Sequence, residues 1–118
     1  MATKEEYTIK SRIWIRTKNG AFLGFGRVAL LKKIDEYGSI SKAAADMKMS
    51  YKKAWELVNS MNSQHSSPLV IRKIGGKGGG GSVLSAAGKN AIKVFEDLAQ
   101  KNDDFLNDRM KEIQFDDE

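Results

Sequence analysis

Four consecutive residues, Ser50-Tyr51-Lys52-Lys53, bring a hydroxyl, a phenol and two amines together in one turn of chain. A serine at a helix N-cap accepts from the free N–H groups of the first turn. Ser50 therefore starts a helix, and the next three side chains project from its first turn. Amines in that position can donate to guanine O6 and N7 or to phosphate oxygens. Either Lys52 or Lys53 can read a base, and one of the two is expected to meet phosphate only. Upstream, Ser41 and Lys42 stand at the start of another short helix, placed to touch a nucleic-acid backbone. A third basic group follows in Arg72, Lys73 and Lys77, the last within Gly75 to Gly81, GGKGGGG. Six glycines remove side-chain bulk and let the backbone approach a phosphate closely.

The elements that carry these groups can be read from spacing. Gly38 to Met61, GSISKAAADMKMSYKKAWELVNSM, reads as two short helices with a tight turn between them. Ser39 or Ser41 caps the first helix, and Ala43-Ala44-Ala45 lets a neighbour approach closely. Lys48-Met49-Ser50 interrupts it. In the second helix Ala54, Leu57, Val58 and Met61 fall at i, i+3, i+4 and i+7 and form one apolar face. Trp55, beside Ala54 and Val58, is expected in the core. Two helices joined in this way make a helix-turn-helix, whose second helix enters the DNA major groove by its first turn. An ordinary helical hairpin is the competing reading of this segment alone.

Ahead of it, Tyr7 to Arg16 alternates apolar and polar residues and is rich in β-branched and aromatic side chains, which predicts a strand. Asn19-Gly20 suits a tight hairpin turn and makes Ala21-Phe22-Leu23 the returning strand. Trp14 lies on the polar face and is expected to be covered, by a partner subunit or by the chain's own helices. Arg27 to Tyr37 reads as a helix that turns Val28, Leu31 and Ile34 inward and stops at Gly38. After Met61, Pro68 ends a polar loop. Leu69 to Ile74 and Ser82 to Leu84 are strands on either side of the glycine run, a hairpin placed as a wing. Ser85 caps a last helix from Ala86 to about Met110. Its apolar positions outlast a small body and so predict packing against a second subunit. The whole is α+β, mainly α: one domain over 1–118, with a hairpin at 7–23, helices at 26–64, the wing at 69–84 and the C-terminal helix at 85–113.

The bulk numbers restrict the function classes. The chain has 118 residues and a net charge of +5. Residues 1–93 carry 17 Lys and Arg against 6 Asp and Glu, or +11, whereas 94–118 carry 3 against 9, or −6. A basic body with an acidic end suits a polyanionic partner. There is no cysteine, hence no disulfide and no thiolate metal site, which fits the cytoplasm. A lone histidine, His65 in a polar loop, does not make a metal site. Gly24-Phe25-Gly26 lacks the third glycine of a dinucleotide fingerprint, because Ala29 stands there. Lys77 is followed by Gly78 and a strand, so the glycine run is not a phosphate-binding P-loop. No run spans a bilayer. No set of acid, base and nucleophile is present, so neither an enzyme nor a cofactor is expected.

The residues that carry this order resemble the N-terminal DNA-binding domain of ModE-type molybdate-dependent transcriptional regulators. They are Gly38-Ser39-Ile40-Ser41 with Ala43-Ala44, Ser50-Tyr51-Lys52 with Ala54-Trp55, Met61-Asn62, Pro68-Leu69-Val70, the Gly75 to Gly81 run, Leu84 and Gly88. The resemblance covers about residues 26–100. Its GSIS-x-AA piece is shared with LysR-type regulators. It implies a winged helix-turn-helix that binds double-stranded DNA as a homodimer on a near-palindromic operator, with a link to molybdate metabolism. The full-length regulators carry molybdate-binding domains after the winged helix, and this chain stops where they would begin. A stand-alone form without direct molybdate binding is therefore expected. Where a helix-turn-helix usually has glycine at its turn this chain has Lys48, and a slightly altered turn is expected.

Overall fold

A computed structural model of the chain describes residues 7–73 and 81–116. Eight elements follow in order: β1 (Ile15–Thr17), β2 (Gly20–Leu23), α1 (Phe25–Tyr37), α2 (Ile40–Asp46), α3 (Tyr51–Ser63), β3 (Val70–Arg72), β4 (Ser82–Leu84) and α4 (Ala86–Met110). The fold is a winged helix-turn-helix with an N-terminal hairpin and a long C-terminal helix. Each hairpin is a separate two-stranded antiparallel sheet.

Capping fixes the helix boundaries. Ser39 accepts from Lys42 N, Ser50 from Lys53 N and Ser85 from Gly88 N, at 3.1, 3.0 and 3.0 Å. Of the two serines that could cap α2, Ser39 does so. Gly38 ends α1 with φ +65°, a left-handed conformation that glycine adopts without a Cβ clash, and donates to Ile34 O. Lys48 takes φ +57° in the turn between α2 and α3. The turn therefore keeps its usual shape, and a non-glycine residue bears the strain of that shape.

The core lies between α1, α2, α3 and the first turns of α4. Leu30, Leu31 and Ile34 of α1 are fully buried, as are Ala43 of α2 and Ala54 and Met61 of α3. Each large aliphatic among them contributes about 1.5–3 kcal/mol by leaving water. Phe95 of α4 is 1% exposed and meets Phe25 edge to face, with centroids 5.1 Å apart. Gly88 is required by closeness: a Cβ there would lie 2.2 Å from Leu69 O.

The strand expected over Tyr7 to Arg16 shrinks to Ile15–Thr17. Its partner β2 has only four residues, and the register breaks between Ile15 and Arg16. The alternation survives without the ladder. Ile9, Ser11, Ile13 and Ile15 are half-buried, while Thr8, Lys10, Arg12, Trp14 and Arg16 are exposed. The segment runs along α4 instead. Asn107 accepts from Ile9 N at 3.1 Å and donates to Ile9 O at 3.3 Å, as a neighbouring strand would. Asn102 donates to Ser11 Oγ, which donates to Asp103. One side of α4 is thus covered by the chain itself, and Val94, Leu98 and Phe105 stay 42%, 46% and 62% exposed.

Asp46, the last residue of α2, binds two groups of α1: Lys33 Nζ at 3.0 Å and Tyr37 Oη at 3.1 Å. The lysine contact, then the phenol, lowers the carboxyl pKa, and Asp46 in turn raises that of Lys33. A carboxyl that titrates lower when folded stabilises fully above the ordinary aspartate range. That contribution fades as pH falls through the range towards the lowered value. Asp46→Asn should therefore lower the thermal midpoint at neutral pH, and the gap to the parent should close in acid. Unfolding scans across that pH range check this; a gap constant with pH would refute it.

Candidate nucleic-acid interface

α3 presents two opposite faces. Ala54, Val58 and Met61 are buried. At 3.6 residues per turn, Lys52, Glu56, Asn59 and Ser63 fall on the far side, and all four are exposed. Tyr51 and Trp55 flank that face towards β3, whereas Lys53, Ser60 and Leu57 flank it towards the N-terminal hairpin. Ser50, Tyr51, Lys52 and Lys53 are all exposed at the helix start. The Ser50 hydroxyl is occupied as the cap.

The groups singled out by sequence meet across a cleft of about 320 Å³ lined by Ser39, Ser41, Tyr51, Arg72, Lys73 and Ser82, among others. Arg72 Nη2 donates to Tyr51 Oη at 2.8 Å, so the wing strand touches the first residue of α3. Ser41 Oγ lies 3.4 Å from Ser39 Oγ. Lys42 and Lys73 are exposed. Lys77 lies outside the described residues. Ser41, Tyr51, Arg72 and Lys73 therefore share one concavity; Lys52 is exposed on the adjoining solvent face of α3 and Lys53 on its hairpin side.

Two networks fix α3 in this position. The first ties it to the wing. Asn62 Oδ1 accepts from Leu69 N at 2.8 Å and Val70 N at 3.1 Å, and Nδ2 donates to Val70 O at 3.0 Å. The second ties it to the start of α1 and to the N-terminal hairpin. Arg27 donates to Ser60 Oγ at 2.9 Å, Gln64 donates to Ala21 O at 2.8 Å, and Thr17 donates to Gln64 Oε1. Burial lowers the pKa of the Arg27 guanidinium from its ordinary value.

Trp55 departs from the expected core position, with 43% of its surface exposed. One residue past Ala54 is 100° around the helix, so the ring lies at the edge of the buried stripe. It borders a smaller cleft of about 240 Å³ with Ile40, Val58, Asn59, Asn62, Val70 and Arg72. Trp14 is likewise uncovered on the single chain, 64% exposed beside Gly24. Sequence reasoning passed over Glu56 and Asn59. The signal was there, since both fall opposite the Ala54-Val58-Met61 stripe. Among the described residues, no group of three or more His, Cys, Asp or Glu could hold a metal ion, and no helix is long and apolar enough to cross a membrane.

No protein-family model matches the chain. Individual relatives do. "DNA-binding transcriptional dual regulator ModE" of Escherichia coli K12 is 49% identical over 74 residues, 63% of this chain and 28% of that protein. "Molybdenum-pterin-binding protein MopB" of Rhodobacter capsulatus is 46% identical over 78 residues, 66% of this chain and 29% of its own length. The chain resembles ModE-type transcriptional regulators. "Molybdenum transport protein ModE" of Azotobacter vinelandii extends the likeness to 87% of this chain, at 35% identity over 106 residues, and to 39% of its own length. The chain thus spans between about a quarter and two fifths of the ModE-type proteins it matches.

Asn62→Ala should destabilise the chain by about 1–3 kcal/mol, because it leaves the N–H groups of buried Leu69 and Val70 without their acceptor. Asn62→Asp keeps the acceptor but sets a second carboxylate oxygen against Val70 O, a repulsion that protonation relieves, so its loss should shrink in acid while that of Asn62→Ala stays. Urea unfolding of both variants at neutral and acid pH checks this; losses that change alike with pH would contradict it.

Proposed function

We propose that this chain is a sequence-specific regulator that binds double-stranded DNA through α3 and the wing. The observation that carries this reading is the single concavity in which Ser41, Tyr51, Arg72 and Lys73 meet, together with exposed Lys52 and Lys53 at the start of α3. The named ModE-type relatives support it. In this reading α3 enters the major groove, Lys52 or Lys53 donates to guanine O6 and N7, and the other neutralises phosphate. Ser41 and Lys42 touch the backbone, Ser50 and Tyr51 stand at the groove entrance, and Arg72, Lys73 and Lys77 hold flanking phosphate or minor groove. No catalytic step is assigned, and no cofactor.

The same reading makes the chain a homodimer. Val94, Leu98 and Phe105 form one exposed apolar strip on α4, and Trp14 and Phe25 are exposed on the body. Pairing along the strip would place two copies of α3 in successive major grooves, about 34–36 Å apart, on a near-palindromic operator. The MopB and ModE names suggest that the regulated genes belong to molybdenum metabolism.

Selection from a random duplex DNA pool at two salt concentrations tests the proposal. Enrichment of an inverted repeat is the expected result. Salt-sensitive binding without enrichment would indicate an architectural DNA binder, and salt-insensitive capture of proteins without DNA binding would indicate an interaction module. Lys52→Ala should weaken operator binding more than random-DNA binding, read by titration of both. Equal losses would make Lys52 a phosphate contact only. Lys77→Ala should reduce both about equally and flatten the salt dependence, since a phosphate contact releases about one counterion; an unchanged slope would remove the wing tip from the contacts.

A further inference from the structure

From Ser39 to Gly81 the sequence holds seven Lys and Arg and two carboxylates, Asp46 and Glu56. Asp46 is neutralised by Lys33 and Tyr37 on the α1 side. Glu56 is not: among the described residues it has neither hydrogen bond nor ion pair, and it is exposed. It also stands one helical turn from Lys52, opposite Ala54, Val58 and Met61, at the centre of the face that α3 turns to solvent. A carboxylate there is repelled by every phosphate. It is compatible with DNA only where it meets a hydrogen-bond donor, and in the major groove the donors are base amino groups.

We infer that Glu56 is a specificity-determining residue that accepts a hydrogen bond from cytosine N4. The inference rests on the DNA-binding reading proposed above. Of the groups a base pair shows in the major groove, guanine O6 and N7 and thymine O4 are acceptors and repel a carboxylate, whereas cytosine N4 is a donor flanked on its own base by C5–H and not by an acceptor. Adenine pairs its donor with the N7 acceptor, which suits a carboxamide such as Asn59 better than a carboxylate. Lys52 and Glu56 are four residues apart, about 6 Å along the helix at 1.5 Å per residue. That is roughly two base-pair steps of 3.4 Å. Where Lys52 and not Lys53 is the base-reading lysine, the cytosine position lies within about two base pairs of its contact. Glu56 also acts against sites without cytosine at that position, where no amino group is placed to compensate its charge.

Selection from a random duplex pool, run in parallel for the parent, Glu56→Gln and Lys52→Ala, tests this. Glu56→Gln keeps the size, removes the charge and changes no buried contact; a circular dichroism melt matching the parent confirms folding. The expected result is a cytosine preference in each half-site of the parent that falls about tenfold in Glu56→Gln. Affinity for random DNA should rise a few-fold. Where Lys52 reads a base, the positions altered by Glu56→Gln and Lys52→Ala should be distinct and within about two base pairs of each other. An unchanged base profile with tighter binding to all DNA would overturn the inference and leave Glu56 as a phosphate repeller only, with DNA binding itself intact. A parent that enriches no sequence would overturn the sequence-specific reading and the inference with it.

Discussion

The carboxamide of Asn62 joins the last turn of α3 to the first residues of the wing, and the geometry of the candidate interface depends on that contact. Its oxygen accepts from two successive backbone N–H groups, and its nitrogen returns a bond to Val70 O. An amide is suited to this because it offers donor and acceptor in one plane. Leu69 and Val70 are buried, so their N–H groups would otherwise lack a partner that water supplies at the surface. The same start of β3 is held from the other side by Ser85, which donates from N to Leu69 O at 2.9 Å and from Oγ to Pro68 O at 2.6 Å. Ser82 N donates to Gly38 O at 2.9 Å and fixes the returning strand to the α1–α2 junction. With both strands pinned, Arg72 reaches Tyr51, and the wing and the start of α3 face one direction.

Asn107 repeats the device at the far end of the molecule. It meets both backbone groups of Ile9, in place of a neighbouring strand. The N-terminal segment thereby links two regions that share little direct packing. At one end it lies on α4; at the other, through β1 and β2, it contacts Gln64 at the end of α3. The contacts from Thr17, Ala21 and Arg27 converge on that helix end. The orientation of α3 relative to α4 is set by side-chain amides and one guanidinium as much as by the apolar core.

Local signals were legible where one residue decides the outcome. Ser50 and Ser85 act as caps, Gly38 stops α1, and the Ala54-Val58-Met61 stripe is buried because each follows from short-range sterics and periodicity. The N-terminal strand pairs with β2 as the turn residues imply, but over three residues only, while its facing holds along the longer segment. Alternation reports which side of a segment is covered, and here the cover is a helix almost a hundred residues later in sequence, which no local pattern encodes. Trp55 shows a related limit. Apolar bulk suggests the core, but its angular position at the stripe's edge outweighs its size. Lys48 illustrates the opposite case: the position requires a left-handed residue, and the fold imposes it on a lysine. Within the candidate site, charge drew attention to Lys52 and Lys53, while Glu56 and Asn59 become visible only once the buried stripe fixes which way the helix faces.

The separation of charge along the chain also shapes α4. Most of its carboxylates sit in the distal half, away from the basic concavity, and several are paired within the helix or its end. Lys101 meets Asp97 at 3.0 Å, Arg109 meets Glu112 at 2.6 Å and Lys111 meets Asp108 at 3.5 Å. Exposed pairs of this kind add little stability, but they offset the negative charge close to the strip formed by Val94, Leu98 and Phe105. An apolar strip bordered by unpaired carboxylates would repel its own copy. An isologous contact sets the same patch against itself, residue i meeting j and j meeting i across the two-fold axis, so carboxylates already paired within the chain would add less repulsion there than free ones. The pairs on α4 offset only part of the net −6 of residues 94–118, whereas the Glu56 carboxylate on α3 has no such partner among the described residues.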